Sequence, residues 1–291
     1  MATGERITAE ARGALVHLPR QPEAEPLHDP RQGDVDEWGR SEHIRQLARR
    51  LYDPLYRQLF RVEWEGLEKI PTEGGALLVA NHAGAIPSDA PVIMHGVEEE
   101  LRRPVYGLAD HIFKAMPFVG TMWARAGGVA AHPENAYRLL REQQQLVLVF
   151  PEGRKGTEKL YRDRYRLRRF GRGGFVEAAM RAEAKLVPVC VVGAEEAAPI
   201  FAHVSFMQRL TGLLYFPITP TFPWLGPLGM LGYLPAKFRI RFLEPIDTRE
   251  LGGADATDDK ALVQTVAREI RARIQENLHD MLAKRKSVWF G

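Results

Sequence analysis

Residues 146–156 read LVLVFPEGRKG: five apolar residues, then a proline, a carboxylate, and two cations between glycines. Leu146 to Phe150 carries no polar side chain, the pattern of a strand buried on both faces. The charged loop that follows it stands where an α/β sheet presents chemistry, beyond the carboxyl end of a strand.

Similar short apolar runs occur on either side. ALLVAN (76–81), PVYGLA (104–109) and LVPVCVVG (186–193) read as buried strands, KFRIRFLEPI (237–246) alternates as a strand does, and RVEWEG (61–66) reads as an edge strand running into a turn. Helical patterns separate them. Pro133 to Gln143 starts with proline at the first helical position, and Phe175 to Ala184 is a second helix. Thr257 is the expected cap of a long final helix towards Lys284, with Asp258 and Asp259 near its positive end. From Trp38 to Phe60, Ile44, Leu47, Leu51, Leu55 and Leu59 form one stripe, accompanied by Arg45, Arg49, Arg50 and Arg57. That stripe suits either a core or an anionic membrane surface. The predicted fold class is α/β: a mixed central sheet flanked by helices, with an N-terminal amphipathic helix.

Residues 1–37 hold four prolines, four arginines and eight acidic residues, a balance of −4 that leaves +7 on the rest of a chain of net charge +3. Few large apolar groups accompany those charges, so 1–37 reads as a disordered acidic tail and 38–291 as a single domain. The basic excess suits nucleic acid, anionic lipid or a phosphorylated substrate. Cys190 is the single cysteine, which excludes an internal disulfide and a cysteine metal cluster and fits a reducing compartment. The first residues lack the apolar core of a signal peptide. Residues 210–236 carry no charge, but five prolines interrupt them, so no transmembrane helix is expected. Tyr215, Phe216, Phe222, Trp224 and Tyr233 fit either a buried loop or a lipid-facing surface there.

Two loops hold the candidate chemistry. After the 76–81 strand comes Asn81-His82-Ala83-Gly84-Ala85-Ile86-Pro87-Ser88-Asp89. A histidine at a strand end accepts a proton, and a neighbouring aspartate orients its ring; a histidine that merely satisfies loop backbone has the same signature. In the second loop Glu152 accepts from hydroxyls, while Arg154 and Lys155 suit a phosphate. A solvated turn looks similar. From Arg154 to Arg172 there are nine cations against Glu158 and Asp163, a solvated face or a surface for phosphates or an anionic bilayer.

In order along the chain, NHxxxxxxD, the glycine block Ala126-Gly127-Gly128-Val129, FPEG with its basic residues, RRFGRGGFVEAA (168–179) and VPVCVVG resemble the glycerolipid acyltransferase family over residues 62–247. The resemblance implies transfer of a fatty acyl group from acyl-CoA or acyl carrier protein to a glycerolipid hydroxyl, most often a lysophosphatidic acid. It implies His82 as general base, Asp89 as its orienting partner, and Glu152, Gly153, Arg154 and Lys155 around the acceptor. It implies direct attack with no acyl-enzyme, no cofactor and no metal, and a peripheral or monotopic protein on the cytoplasmic face of a membrane.

Two departures matter. The family spacing is His-x4-Asp, whereas six residues intervene here. On an ideal helix seven steps span roughly 10 Å, so contact requires a loop at Gly84 and Pro87 that returns Asp89 to His82. Family branches acting on neutral lipids carry similarly stretched motifs, which keeps an acylglycerol or long-chain alcohol acceptor open, as well as a catalytically silent lipid binder. The glycine block also lacks the family's arginine, reading Val129-Ala130-Ala131-His132. Against a serine hydrolase, the four serines include no G-x-S-x-G. Against a nucleic-acid binder, no recognised motif accompanies the basic run.

Overall fold

The computed structural model describes residues 32–84, 88–109, 117–211 and 215–291. The chain divides into two units, Met1–Asp34 and Val35–Gly291. Most of the expected tail, and Pro87, lie outside the described residues. Val35 to Glu37, which composition assigns to the tail, belong to the second unit, where the Asp36 carboxylate accepts the Tyr106 hydroxyl at 2.6 Å.

The second unit is built on a seven-stranded mixed sheet in the order β1-β9-β6-β2-β5-β3-β4. Its strands are β1 (Glu63–Glu65), β2 (Ala76–Ala80), β3 (Val105–Ala109), β4 (Gly128–Ala130), β5 (Leu146–Val149), β6 (Lys185–Val192) and β9 (Arg239–Phe242). β7 (Ala202–His203) and β8 (Pro217–Ile218) form a separate hairpin. β6, β2, β5, β3 and β4 are mutually parallel, whereas β9 is antiparallel to β6 and parallel to the edge strand β1. Successive residues of β2 face opposite sides: Leu77 and Val79 join one core, Ala76, Leu78 and Ala80 the other. Each core is closed by helices, which is why these strands are apolar throughout.

Among the described residues the α-helices are α1 (Glu42–Pro54), α2 (Asp89–Leu101), α3 (Pro117–Arg125), α4 (Pro133–Tyr137), α5 (Arg154–Thr157), α6 (Gly174–Arg181), α7 (Ala194–Ala197), α8 (Ser205–Thr211) and α9 (Lys260–Lys284). Wider π-type turns extend α1 through Leu59 and α4 through Glu142. α9 packs on the first core through Val263, Ile270, Ile274 and Leu278. Its cap is Asp259 rather than the expected Thr257: the carboxylate accepts the amides of Ala261 at 3.0 Å and Leu262 at 2.9 Å. An ionised acceptor there also complements the helix dipole, and the Thr257 hydroxyl donates back to Ala254 instead.

α1 turns a different face inward from the one its leucines mark. Arg45 and Arg49 reach Glu98 of α2 at 2.5 and 2.7 Å, and Arg40 adds a third ion pair at 2.7 Å. Glu98 is buried, so one carboxylate surrounded by three guanidinium groups links these helices, beside the aromatic contact of Tyr52 with His95. Leu47 and Leu51 are left exposed.

Candidate active site

The site follows from strand register. β2 and β5 are adjacent and parallel, with Val79 opposite Val149. His82 and Glu152 each stand three residues beyond that pair, so the two loops leave the sheet side by side. Asn81 fixes the first loop at its root by exchanging two hydrogen bonds with the Val191 backbone of β6, at 3.0 and 2.7 Å.

The structure brings His82 and Asp89 together despite the six intervening residues. Nδ1 of His82 lies 2.9 Å from Asp89 Oδ2. Gly84 supplies the positive φ of 89° that the returning loop needs. Asp89 is the first residue of α2 and fully buried, and its carboxylate also accepts the amides of Ala83 at 2.9 Å and Ala90 at 2.8 Å. The His82 ring stacks on Phe150 with centroids 4.1 Å apart, and its side chain keeps 14% exposure. A histidine whose Nδ1 donates to a carboxylate presents its Nε2 lone pair as an acceptor.

Glu152 faces inward, not towards a headgroup. It is buried, and its two oxygens accept the backbone N–H of His82 at 3.0 Å and of Arg168 at 2.7 Å. Gly153, Arg154 and Lys155 are exposed, and Arg154 pairs with Glu158 at 2.9 Å. Gly153 adopts φ 54°, ψ −147°, a conformation open essentially to glycine alone. Gly156 is buried where a Cβ would come within 2.8 Å of His82 Cβ. His132, at the place of the missing arginine, caps α4 through the amide of Glu134.

Several site residues escaped sequence reasoning. Lys159 sits inside the basic run yet is buried, 2.9 Å from Glu195 and 3.5 Å from Glu152. Burial pushes Glu195 up to about 7, against the pull of Lys159 and the Tyr165 amide. Tyr52 from α1 and Tyr233 surround Asp89 from other elements: burial raises both hydroxyls above their usual range, and Asp89 adds to each shift. Tyr215 is raised likewise, first by burial and more weakly by Glu158 and Asp89. The alternation of charge and aromatics in 158–165 was the available signal, but it does not reveal which cation turns inward. Among the described residues, no cluster of three histidine, cysteine or acidic side chains has the arrangement of a metal site.

The uncharged 210–236 segment divides in two. Phe216 and Phe222 are buried, whereas Trp224, Leu225 and Leu228 are exposed, as are Phe206 and Leu210 on α8. Among the described residues, no helix is long and apolar enough to cross a membrane.

Comparison with known proteins agrees with this architecture. The family described as Acyltransferase has a sequence model that matches residues 61–192, the segment from β1 to the end of β6. An uncharacterized protein of Mycobacterium tuberculosis is 43% identical over 260 residues, covering 88% of this chain and 72% of its own length. Phytyl ester synthase 2 of Arabidopsis thaliana is 25% identical over 257 residues, 76% of this chain and 34% of that protein. The crystal structure of the 1-acyl-sn-glycerophosphate (LPA) acyltransferase PlsC from Thermotoga maritima shares the fold, with a TM-score of 0.53 at 18% identity over 84% of this chain and 80% of the other. The chain belongs to the acyltransferase family.

Proposed function

We propose that this protein transfers a fatty acyl group from a thioester donor, acyl-CoA or acyl carrier protein, to the hydroxyl of a lysophosphatidic acid-type glycerolipid. The contact between His82 Nδ1 and Asp89 Oδ2 at 2.9 Å carries this reading. His82 Nε2 takes the proton of the acceptor hydroxyl as its oxygen attacks the thioester carbonyl. The carbon–sulfur bond breaks, the new ester bond forms, and the proton passes from the imidazolium to the departing thiolate. Glu152 and Asp89 hold the base in place, while exposed Arg154 and Lys155 face the acceptor's polar end. The groove of about 490 Å³ between α1, α2 and α3, lined by Leu51, Tyr52, Leu55 and Met94, is of a size and polarity suited to a hydrocarbon chain. The exposed apolar residues at 206–228 suit a membrane surface, where aromatic and aliphatic groups enter the interface.

A neutral long-chain alcohol is the second reading. The residues at 129–132 offer no arginine, and Arg154 is already paired with Glu158. Similarity to a phytyl ester synthase points the same way.

The test is thiol release from a long-chain acyl-CoA, with lysophosphatidic acid, monoacylglycerol or a long-chain alcohol as acceptor. Acceptor-dependent release that disappears in His82→Ala supports the reading, and the acceptor that works identifies the class. Release without acceptor assigns a thioesterase instead. Near-normal turnover in His82→Ala removes the proposed base.

A further inference from the structure

The basic run and the C-terminal end of the chain meet in a cleft of about 480 Å³ that the mechanism above does not use. Arg162, Arg164 and Arg166 line one side, and Arg285 and Lys286, just beyond α9, line the other. Alternate residues converge here because Tyr165 between them is a buried anchor. Its φ is +60°, in the left-handed region that a tyrosine seldom occupies. Its hydroxyl accepts the Gly193 amide at 2.8 Å and donates to Glu196, which fixes the turn in that conformation.

The charge of this cleft is incompletely answered. Arg162, Arg164, Arg166 and Lys286 make no ion pair among the described residues, and all four are exposed. Arg285 is the fifth cation. Its side chain is only 9% exposed, and one nitrogen donates to Glu196 at 2.7 Å. Its other terminal nitrogen, Nη1, has no hydrogen-bond partner among the described residues. That nitrogen is buried beneath the cleft wall, so Arg285 acts on the cleft through its charge, which the single carboxylate of Glu196 answers.

We propose that this cleft binds the phosphate groups of the coenzyme A portion of the acyl donor. The proposal rests on the acyl-thioester reading above and names the carrier that reading leaves open. Five cations, four of them without an ion pair among the described residues, suit several phosphates on one compact ligand better than the single phosphate of a lipid headgroup. Coenzyme A carries a pyrophosphate and a 3′-phosphate at the far end of a long arm from its thioester. Planar guanidinium groups bind such oxygens through paired hydrogen bonds. The cleft is also mechanically continuous with the catalytic loops. The Tyr165 amide donates to Glu195 at 3.1 Å, Lys159 joins Glu195 to Glu152, and Glu152 holds His82.

The experiment uses the full chain and the double variant Arg162→Gln, Arg166→Gln, whose exposed side chains make no ion pair among the described residues. Binding of coenzyme A and of adenosine 3′,5′-bisphosphate is measured by titration calorimetry. Turnover is measured with acyl-CoA and with the matching acyl-pantetheine, which lacks the nucleotide phosphates. The double variant is expected to bind both nucleotides at least about tenfold more weakly. Its kcat/KM ratio of acyl-CoA over acyl-pantetheine should fall by a similar factor. Equal affinity in the two proteins, or an unchanged ratio, overturns the assignment. So does preferential loss of binding to phosphatidylglycerol vesicles with coenzyme A affinity intact, which gives the cations to a lipid headgroup. Loss of turnover with acyl carrier protein alone gives them to an acidic protein and overturns it too. Phosphate-dependent coenzyme A binding without any acyl transfer upholds the cleft while removing the enzymatic reading.

Discussion

Glu152 Oε1 accepts the backbone N–H of His82 at 3.0 Å, across 70 residues of sequence. The second oxygen accepts the Arg168 amide at 2.7 Å, so the carboxylate ties three loops with two acceptors. A glutamine has only one acceptor oxygen. In Glu152→Gln, its NH2 must face one of the two amide donors, and Lys159 loses a counter-charge. The variant is expected to be destabilised by about 1–3 kcal/mol, seen as a lower Tm. Its kcat should fall more than its KM changes, because His82 is displaced relative to the acceptor. A variant with wild-type Tm and kcat would refute this role.

Asp89 meets His82 Nδ1 through one oxygen atom, and the same oxygen accepts the Ala83 amide. In Asp89→Asn the amide oxygen can serve the Ala83 N–H only if it also faces His82, and the negative charge opposite the imidazolium is gone. A kcat loss of about 10²–10⁴-fold is expected, the range of general acid–base catalysis. The acceptor KM should move far less. Steady-state kinetics with whichever acceptor supports turnover decide it, and a kcat within a few-fold of wild type would mean that His82 needs no charged partner.

How far the sequence reveals this site depends on whether a residue's role is local. The strands β2, β5 and β6 are legible because each is a short apolar run, and their adjacency places the two motif loops side by side. The contact of Asp89 with His82 is only half legible. Spacing excludes a shared helix, but that Asp89 itself opens α2 depends on the sheet and helix packing around it. Lys159 is illegible: among nine cations, nothing local distinguishes the one that turns inward to Glu152 and Glu195. The leucine stripe of α1 leaves core and surface open, and the structure divides it: Leu55 and Leu59 pack on the core, while Leu47 and Leu51 stay exposed where Glu98, far along the chain, draws Arg45 inward.

Gly153 caps the short helix α5 and Gly156 lies within it, and the two serve the site differently. A Cβ at 156 would stand 2.8 Å from His82 Cβ and 3.0 Å from Glu152 Cβ and the His82 carbonyl oxygen. A Cβ at 153 would meet nothing within 4 Å. Gly156→Ala therefore overpacks the site, at a cost of about 1–3 kcal/mol, and pushes the base from its position. Gly153→Ala costs a similar amount, about 1–3 kcal/mol, through backbone strain alone. The two variants are expected to show similar Tm losses but unequal activity, with Gly156→Ala the more impaired at a temperature where both remain folded. Equal specific activities would show that the close approach to His82 does not position it.

His95 predicts the pH dependence of stability. Its ring is 2% exposed, both nitrogens lack a hydrogen-bond partner among the described residues, and Asp53 Oδ1 stands 3.6 Å away. Tyr52 and Tyr56 present their rings edge-on at 5.5 and 5.0 Å. Burial, then the Arg45 charge, lowers the pKa of His95. The unfolded chain therefore binds this proton first, near an ordinary value of about 6.5. Below that pH the unfolded state holds more protons than the folded one, so stability falls as pH drops, until the folded histidine also protonates. Above it the contribution is constant. Wild-type Tm should thus decline between about pH 7 and pH 5, and His95→Phe, which keeps an aromatic ring in the same place, should decline less steeply. Parallel Tm profiles for the two proteins would mean that the acid sensitivity arises at another group.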